Sequence, residues 1–470
     1  MTVATDTTAE LVRALPHDIV TTDPDVILGY AADQSSFTQS DTPSAVVMPR
    51  STAEVAACLR TAHALGIPVI TRGAGSGLSG AANCPRGAIV LSTHRMNSIS
   101  EVDRANRIVT VGPGAITNDV REHAAAAGLF YPPDPGSVAF CTIGGNVSTN
   151  AGGMCCVKYG VTGDFVLELE CVLADGTVIR TGTATRKGVA GYDLTRLLVG
   201  SEGTLAIITE ITLRLLPAPQ PARTMLASFA TVADAGRAVT AISTGGLVPS
   251  MLEILDRTTV RAVDSLTHMG IGDDIGALVL AQFDTHDADG DISAVEAFCA
   301  ASGALDVVVA STKDEGDLLL EARRQALPAL ERLGDWLLDD VCVPCSRIAE
   351  LIDEIGAIAE YTQLTIGVFG HAGDGNLHPT IIYDRSCPDS AAAAREAFDA
   401  ITQLALDLGG TITGEHGVGR LKTGWLREEL GEANLLVQQS IKRALDPTGI
   451  LNPGAVIGDG HAPEVATPGA

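Results

Sequence analysis

Two histidines and a carboxylate recur in this chain in a pattern that could hold a metal ion. Gly370-His371-Ala372-Gly373-Asp374-Gly375-Asn376-Leu377-His378 supplies the imidazoles, and Gly414-Glu415-His416-Gly417 follows further along. His371, His378 and Glu415 make a three-ligand set that leaves a position open for substrate, as catalytic zinc sites do. Nitrogen and oxygen donors suit zinc first, with manganese and iron also accepted. His416 is left beside the set as a further titratable group. Glycines this dense imply a backbone wrapped closely around something.

The elements that must position these residues are legible nearby. Thr365-Ile366-Gly367-Val368-Phe369 and Pro379-Thr380-Ile381-Ile382-Tyr383 read as short strands, and Gly373-Asp374-Gly375-Asn376 between them is turn chemistry. The expected hairpin sets His371 and His378 across from one another.

Three glycine-rich loops lie earlier. Arg72-Gly73-Ala74-Gly75-Ser76-Gly77-Leu78-Ser79-Gly80 contains GxGxxG after a strand. A dinucleotide fingerprint needs a helix directly after the glycines. Here Asn83-Cys84-Pro85-Arg86-Gly87 intervenes and a strand, 88–91, follows, so the loop reads as a diphosphate cradle of a different fold, built from backbone amides. A second run, from Pro132-Pro133-Asp134-Pro135-Gly136-Ser137 to Cys141 through Gly153, has few bulky side chains and lets backbone lie against a flat ligand. Gly200-Ser201-Glu202-Gly203-Thr204-Leu205 is the third.

Ser44 to Pro49 reads as a strand, Ser51-Thr52-Ala53-Glu54 as a capping box opening a helix closed by Gly66, and Pro68 to Thr71 as a further strand. Pro217-Ala218-Pro219-Gln220-Pro221 is a linker by its proline density. Beyond it the texture changes to helical patterns at 232–242, 295–301, 346–361 and 390–408 alternating with short strands, a second, α+β domain. A helix over 435–445 leads to Leu451-Asn452-Pro453-Gly454.

At 470 residues the chain is too long for one ordinary core. Lysine and arginine number 31 against 57 acidic residues, a net charge of −26, which argues against nucleic acid and anionic membrane partners. No run approaches the about 20 apolar residues of a membrane span, and the N-terminus lacks the pattern of a signal peptide. A cytoplasmic protein is expected, with a peripheral place at the inner membrane face left open. The 10 cysteines form no disulfide framework. Cys342-Val343-Pro344-Cys345 is a lone CxxC, Cys155-Cys156 reads as packing, and iron–sulfur spacing is absent.

At these residues the chain resembles flavoproteins of the vanillyl-alcohol oxidase and p-cresol methylhydroxylase (PCMH) type, within them the D-lactate, glycolate and D-2-hydroxyglutarate dehydrogenase branch. The resemblance runs from about Asp23 to Val456. It implies an α+β fold: a PCMH-type FAD-binding domain over 1–218, a substrate domain with the metal site over 219–414, a C-terminal segment over 415–458 returning to the first domain, and a disordered tail over 459–470. Arg72, Gly73, Ala74, Gly75, Ser76, Gly77 and Ser79 would meet the FAD diphosphate. Pro135, Gly136, Thr142, Gly144, Gly145, Asn146, Ser148, Thr149, Ala151 and Gly152 would line the flavin, with Glu202, Gly203 and Ile207 in a third segment and Asn452 closing the domain. His371, His378 and Glu415 match the metal ligands, His416 the active-site histidine, and Arg323 the substrate-carboxylate arginine.

Three departures refine the expectation. No histidine lies between Arg72 and Gly80, so FAD is expected to be non-covalent. A lysine and an asparagine that hold the distal carboxylate in the 2-hydroxyglutarate enzymes correspond to Leu338 and Thr380. A leucine cannot pair with a carboxylate, so the expected substrate has one, D-lactate first. The implied partners are a small 2-hydroxy acid and an electron acceptor such as a quinone, cytochrome or electron-transferring flavoprotein, with a homodimer open to the chain. The alternatives are an FAD subunit of a multi-protein glycolate oxidase, a D-2-hydroxyglutarate dehydrogenase, an oxidase using O2, or a metal-binding flavoprotein without catalysis.

Overall fold

The structure, a computed structural model, describes residues 3–185 and 187–458, so the tail expected over 459–470 lies outside the described residues. The chain forms two compact units. Mixed helix and strand content, expected as α+β, is what forms.

The first unit comprises the chain up to Ala151, Val161–Ala218 and the segment from His416. Ser51 accepts from the Glu54 amide and opens the helix Thr52–Leu65, which Gly66 closes in the left-handed region, as the capping residues foretell. That helix connects Val46–Val47 to Val69–Arg72, which flank Ile89–Ser92 and both pair with it in parallel, in a sheet ordered Val20–Thr21, Val46–Val47, Ile89–Ser92, Val69–Arg72. Val47, Val55, Leu59, Val69, Ile89 and Leu91 are fully buried between helix and sheet. A second, antiparallel sheet is ordered Ile108–Val111, Ile207–Arg214, Val166–Val172, Val178–Gly182. Leu216–Pro217 pairs with Leu129–Phe130, so the proline-rich connection begins one residue later than its composition indicates. The C-terminal helix runs over Thr423–Leu445, longer than the expected 435–445, and breaks at Gly431. It leads to Leu451, which bridges Val69.

The second unit comprises Gly152–Gly160 and Pro219–Glu415. The short segment 152–160 joins this unit although it lies far upstream of the linker. Lys158 and Tyr159 both donate to the Asp284 carboxylate, and that anchoring is invisible in local sequence. The core is an antiparallel sheet ordered Ala304–Val309, Arg223–Phe229, Ala277–Phe283, Met251–Asp256, Thr365–His371, Asn376–Tyr383, Asp335–Leu338, with Val341–Cys342 also on the Asn376–Tyr383 strand. Helices Val232–Thr244, Ile348–Thr362 and Pro388–Asp407 pack in succession, near the ranges that periodicity predicts. All ten cysteines are free thiols.

Candidate active site

The hairpin forms, and both strands run further toward the turn than expected, so each carries its histidine inside the ladder. The histidines do not face one another directly. His371 opposes Asn376 and His378 opposes Phe369, which makes the two imidazoles diagonal neighbours on one sheet face. Their ring centroids are 5.2 Å apart, edge to face.

Alternation along the strands extends that face into a stripe. Glu253 opposes His371, His378 and Thr380 are two residues apart, and Leu338 opposes Thr380. The stripe therefore runs Glu253, His371 with Phe369, His378 with Thr380, then Leu338. Glu253 and Thr380 are fully buried.

Glu415 reaches this face from the loop after Pro388–Asp407. The Cys342 amide donates to the Thr411 carbonyl at 3.2 Å and the Thr411 amide returns to the Cys342 carbonyl at 2.8 Å, laying the loop along the Val341–Cys342 strand. Asp340 then fixes its tip. Its Oδ2 accepts from Thr413 Oγ1 at 2.6 Å and from the Gly414 and Glu415 amides at 3.0 Å each, while Oδ1 accepts from Asn376 Nδ2 at 2.7 Å. Glu415 Oε1 ends 3.3 Å from His371 Nε2 and 3.2 Å from His378 Nε2. Gly152 permits this arrangement, because a Cβ there would lie 2.5 Å from Glu415 Oε2.

These three residues fit a divalent metal. Their donor atoms all lie within 4.8 Å of one another. Glu253 Oε1 is 2.8 Å from His371 Nδ1, a hydrogen-bonded carboxylate–histidine pair of the kind that orients metal-ligating imidazoles, while Asp340 Oδ1 lies 3.7 Å from His378 Nδ1, beyond hydrogen-bond distance. Charge argues the same way. Burial pulls the His371 imidazole down, but Glu253 and Glu415 outweigh it and hold it well above its usual range. Burial pushes Glu415 up, and the two histidines outweigh it and hold it well below the usual carboxylate range. Burial pushes Asp374, in the hairpin turn, up to about 6 against the pull of His371. A bound cation would supply the positive charge that a proton on His371 otherwise provides.

Arg323, on the helix Lys313–Arg324, is buried over the same stripe. Its Nε donates to Glu253 Oε2 at 2.5 Å and its Cζ sits 4.7 Å from the Phe369 ring centroid. Its terminal nitrogens donate to no protein acceptor among the described residues, which leaves a planar fork for a carboxylate.

In the first unit, the backbone amides from Gly73 through Ser79 donate to no protein acceptor among the described residues. Runs of open backbone donors bind phosphate oxygens, and this donor set fits a diphosphate. The loop packs against the start of the helix Ile143–Thr149, since a Cβ on Gly73 would fall 2.3 Å from Thr142 Oγ1. The Arg72 guanidinium turns back to the Ala32 carbonyl at 2.7 Å. Ala74 is exposed, and Gly75, Ser76 and Gly77 are half-buried.

Several side chains expected to meet the cofactor also hydrogen-bond within the protein. Thr142 accepts from the Gly145 amide at 3.2 Å, Asn146 Nδ2 donates to Thr117 Oγ1 at 2.8 Å, and the Ser148 and Thr149 hydroxyls donate to Gly144 and Gly145 carbonyls at 2.7 and 3.3 Å. Glu202 accepts from the Val418 and Gly419 amides at 2.8 and 2.9 Å. Burial pushes its carboxyl up to about 7 against those two donors. Asn452 Nδ2 donates to the Glu202 and Ala81 carbonyls at 2.8 and 3.0 Å, and its Oδ1 accepts from Arg420 Nη2. Ile207 and Ala151 are buried, and the Ala151 carbonyl accepts from Thr162. Pro135 is buried and Gly136 exposed in the same loop, while Gly144 and Gly203 are buried.

His416 opens the C-terminal segment of the first unit, where its carbonyl accepts from Ser79 Oγ at 3.0 Å. Sequence reading misses Glu253 and Asp340, although each is a signal of a kind. Glu253 interrupts the apolar Met251-Leu252-Glu253-Ile254-Leu255, and Asp339-Asp340 follows Leu337-Leu338. A carboxylate inside an apolar strand needs a partner.

The fold is that of an FAD-linked oxidoreductase. Residues 43–182 match the FAD binding domain family and residues 218–456 the family of FAD linked oxidases, C-terminal domain. The glycolate oxidase subunit GlcD of Bacillus subtilis (strain 168) is 42% identical over 431 residues, 91% of this chain and 91% of that protein. A D-lactate dehydrogenase of Anaerostipes hadrus is 35% identical over 91% of this chain and 92% of that one. The solved structure of p-cresol methylhydroxylase with substrate bound superposes with a TM-score of 0.79 at 18% identity, covering 97% of this chain and 96% of that chain, a likeness of fold. The chain belongs to the FAD-linked oxidases and binds FAD. No helix among the described residues is long and apolar enough to cross a membrane.

Proposed function

We propose that this chain is an FAD-dependent dehydrogenase that oxidises a D-2-hydroxy acid with one carboxylate, D-lactate first, to the 2-oxo acid. The observation that carries the reading is the stripe on the sheet of the second unit. A guanidinium fork and a three-ligand set stand at one part of it, and the pair Leu338 and Thr380 continues it with no charge. A short 2-hydroxy acid matches that sequence of groups. The relatives named glycolate oxidase subunit and D-lactate dehydrogenase support the substrate class, and the second supports the D configuration.

Arg323 pairs with the substrate carboxylate through its terminal nitrogens while Glu253 restrains Nε. An imidazole nitrogen of His416 takes the hydroxyl proton as general base. His371, His378 and Glu415 would hold a divalent ion, zinc in the first instance with manganese or iron compatible, which would supply Lewis acidity toward the substrate oxygens. FAD, held without a covalent bond, would supply the hydride acceptor, with a quinone, cytochrome or electron-transferring flavoprotein as the external electron acceptor. Leu338 and Thr380 give a second carboxylate no partner, so D-2-hydroxyglutarate is disfavoured.

An anaerobic visible titration tests this. D-lactate should bleach the flavin band, and removal of metal by chelation should abolish the bleaching. Reduction by D-2-hydroxyglutarate in preference to D-lactate would overturn the reading of Leu338. A second reading rests on the relative named as a subunit: the chain is the FAD subunit of a multi-protein glycolate oxidase. Steady turnover of the isolated chain with an artificial acceptor counts against it, and glycolate-dependent turnover only in the presence of further subunits favours it.

A further inference from the structure

We infer that Glu253 is a positioning residue that serves both ends of the substrate at once, orienting one metal ligand and the carboxylate-binding arginine through a single buried side chain. The inference rests on the reading of Arg323, His371, His378 and Glu415 given above and extends it to a residue with no contact to substrate of its own.

Glu253 lies in the middle of the Met251–Asp256 strand, where its neighbours Leu252, Ile254 and Leu255 are buried hydrophobics. Its own side chain has no exposure to solvent. An ionised carboxylate in such a place is tolerated only with both oxygens engaged. Each oxygen has a different partner: Oε1 lies 2.8 Å from His371 Nδ1, and Oε2 accepts from Arg323 Nε at 2.5 Å. Register makes the first contact unavoidable, because Glu253 and His371 are directly opposed across antiparallel strands and project from the same face.

The consequences differ at the two ends. At His371, a carboxylate on Nδ1 favours the tautomer that carries its proton there and leaves Nε2, the atom facing Glu415, with a free lone pair for a cation. At Arg323, a bond to Nε and the Phe369 ring against the guanidinium fix the plane of the group. Its two terminal nitrogens are left to the ligand. One residue thereby sets the distance and angle between the metal ligands and the carboxylate fork.

The test uses the FAD-containing full chain, stripped of metal and titrated with Zn2+ against a chromophoric chelator. Glu253→Gln should weaken zinc binding by about tenfold to a hundredfold, the range for loss of an outer partner of a metal-bound imidazole. At saturating zinc, its KM for D-lactate should remain about tenfold above that of the native chain, because the arginine is still unrestrained. Arg323→Met leaves Glu253 on His371, so it should raise KM without weakening zinc binding. A Glu253→Gln chain with native zinc affinity and native KM overturns the inference, whatever its thermal stability. If that variant does not fold, 15N spectra of the native zinc-loaded protein decide. His371 protonated on Nδ1 supports the inference, and His371 protonated on Nε2 overturns it. The zinc arm does not depend on the substrate. A native chain that binds zinc and is reduced by no 2-hydroxy acid overturns the proposed reaction alone, whereas one that binds no divalent ion overturns the metal site and this inference with it.

Discussion

Replacing Leu338 by lysine and Thr380 by asparagine should convert the proposed specificity, and the size of the effect follows from where the two residues lie. They are a direct cross-strand pair, 5% and 0% exposed, on the face that carries His378. A second carboxylate brought to that part of the stripe now meets a leucine side chain and a threonine hydroxyl that donates to the His378 carbonyl at 3.3 Å. A lysine there adds a charge-assisted bond of about 1.5–3 kcal/mol and an asparagine a neutral one of about 0.5–1.5 kcal/mol. Their sum, about 3 kcal/mol, corresponds to roughly a hundredfold in kcat/KM for D-2-hydroxyglutarate. D-lactate loses apolar surroundings for its methyl group, about 0.8 kcal/mol or roughly fourfold. The ratio of the two specificity constants should therefore move by several hundredfold, on the order of the product of these effects. The assay is dye-linked turnover of both substrates by native and double-variant protein at saturating metal, with thermal unfolding and the flavin spectrum as controls for folding. A folded, flavin-loaded double variant whose ratio moves less than about threefold would refute the placement of the substrate's distal end on this face.

Three further outcomes are expected. His416→Gln should lower kcat by about a hundredfold or more while changing KM for D-lactate little, as loss of a general base does; equal loss in binding, read by flavin perturbation with the unreactive variant, would speak for a structural role. Glu415→Gln should weaken Zn2+ binding well beyond tenfold, a loss read by chelator competition on the FAD-loaded chain, because both histidine Nε2 atoms point at its Oε1. Glu202 should make the fold weaken with rising pH. Its folded carboxyl, held near 7 by burial, lies above the ordinary 4.5, so its contribution is complete below about 4.5 and is lost as pH rises through about 7. The span is at most about 3 kcal/mol, and the melting temperatures of native and Glu202→Gln protein should converge or cross in that direction between about pH 5 and 8. Parallel curves would show that Glu202 does not titrate in that window.

What the sequence discloses and what it hides divide along the range of the forces involved. The Ser51 cap, the Gly66 stop, the hairpin at 365–383 and the proline connection are decided by neighbours a few residues apart, and propensity and turn chemistry report them. The diagonal offset of His371 and His378 is already beyond that range, because it depends on where the turn residues 372–375 let the ladder begin. Glu253 is further still. Its meaning comes from strand order, which sets the Met251–Asp256 strand beside Thr365–His371 although the chain visits four strands between them. The segment 152–160 likewise reveals its allegiance only through Asp284, a buried carboxylate at the end of another strand.

The same division explains why the cofactor loops are easy to recognise while the protein contacts of their side chains are not. Open backbone donors require glycine and small residues, a compositional signal that survives at any position in the fold. Among the polar side chains of these loops, Thr142, Ser148, Glu202 and Asn452 hydrogen-bond backbone groups and Asn146 donates to Thr117, contacts that a string of letters does not show. Substitutions at these positions should accordingly act on FAD through loop geometry. Replacing Asn452 with aspartate is the sharp case: it keeps the acceptor for Arg420 and removes the donor to Ala81 and Glu202, two carbonyls at the bases of two glycine loops. A loss of FAD retention with the Arg420 contact intact would locate the effect in those loops, whereas retention equal to the native chain would mean that the loops hold their shape without Asn452.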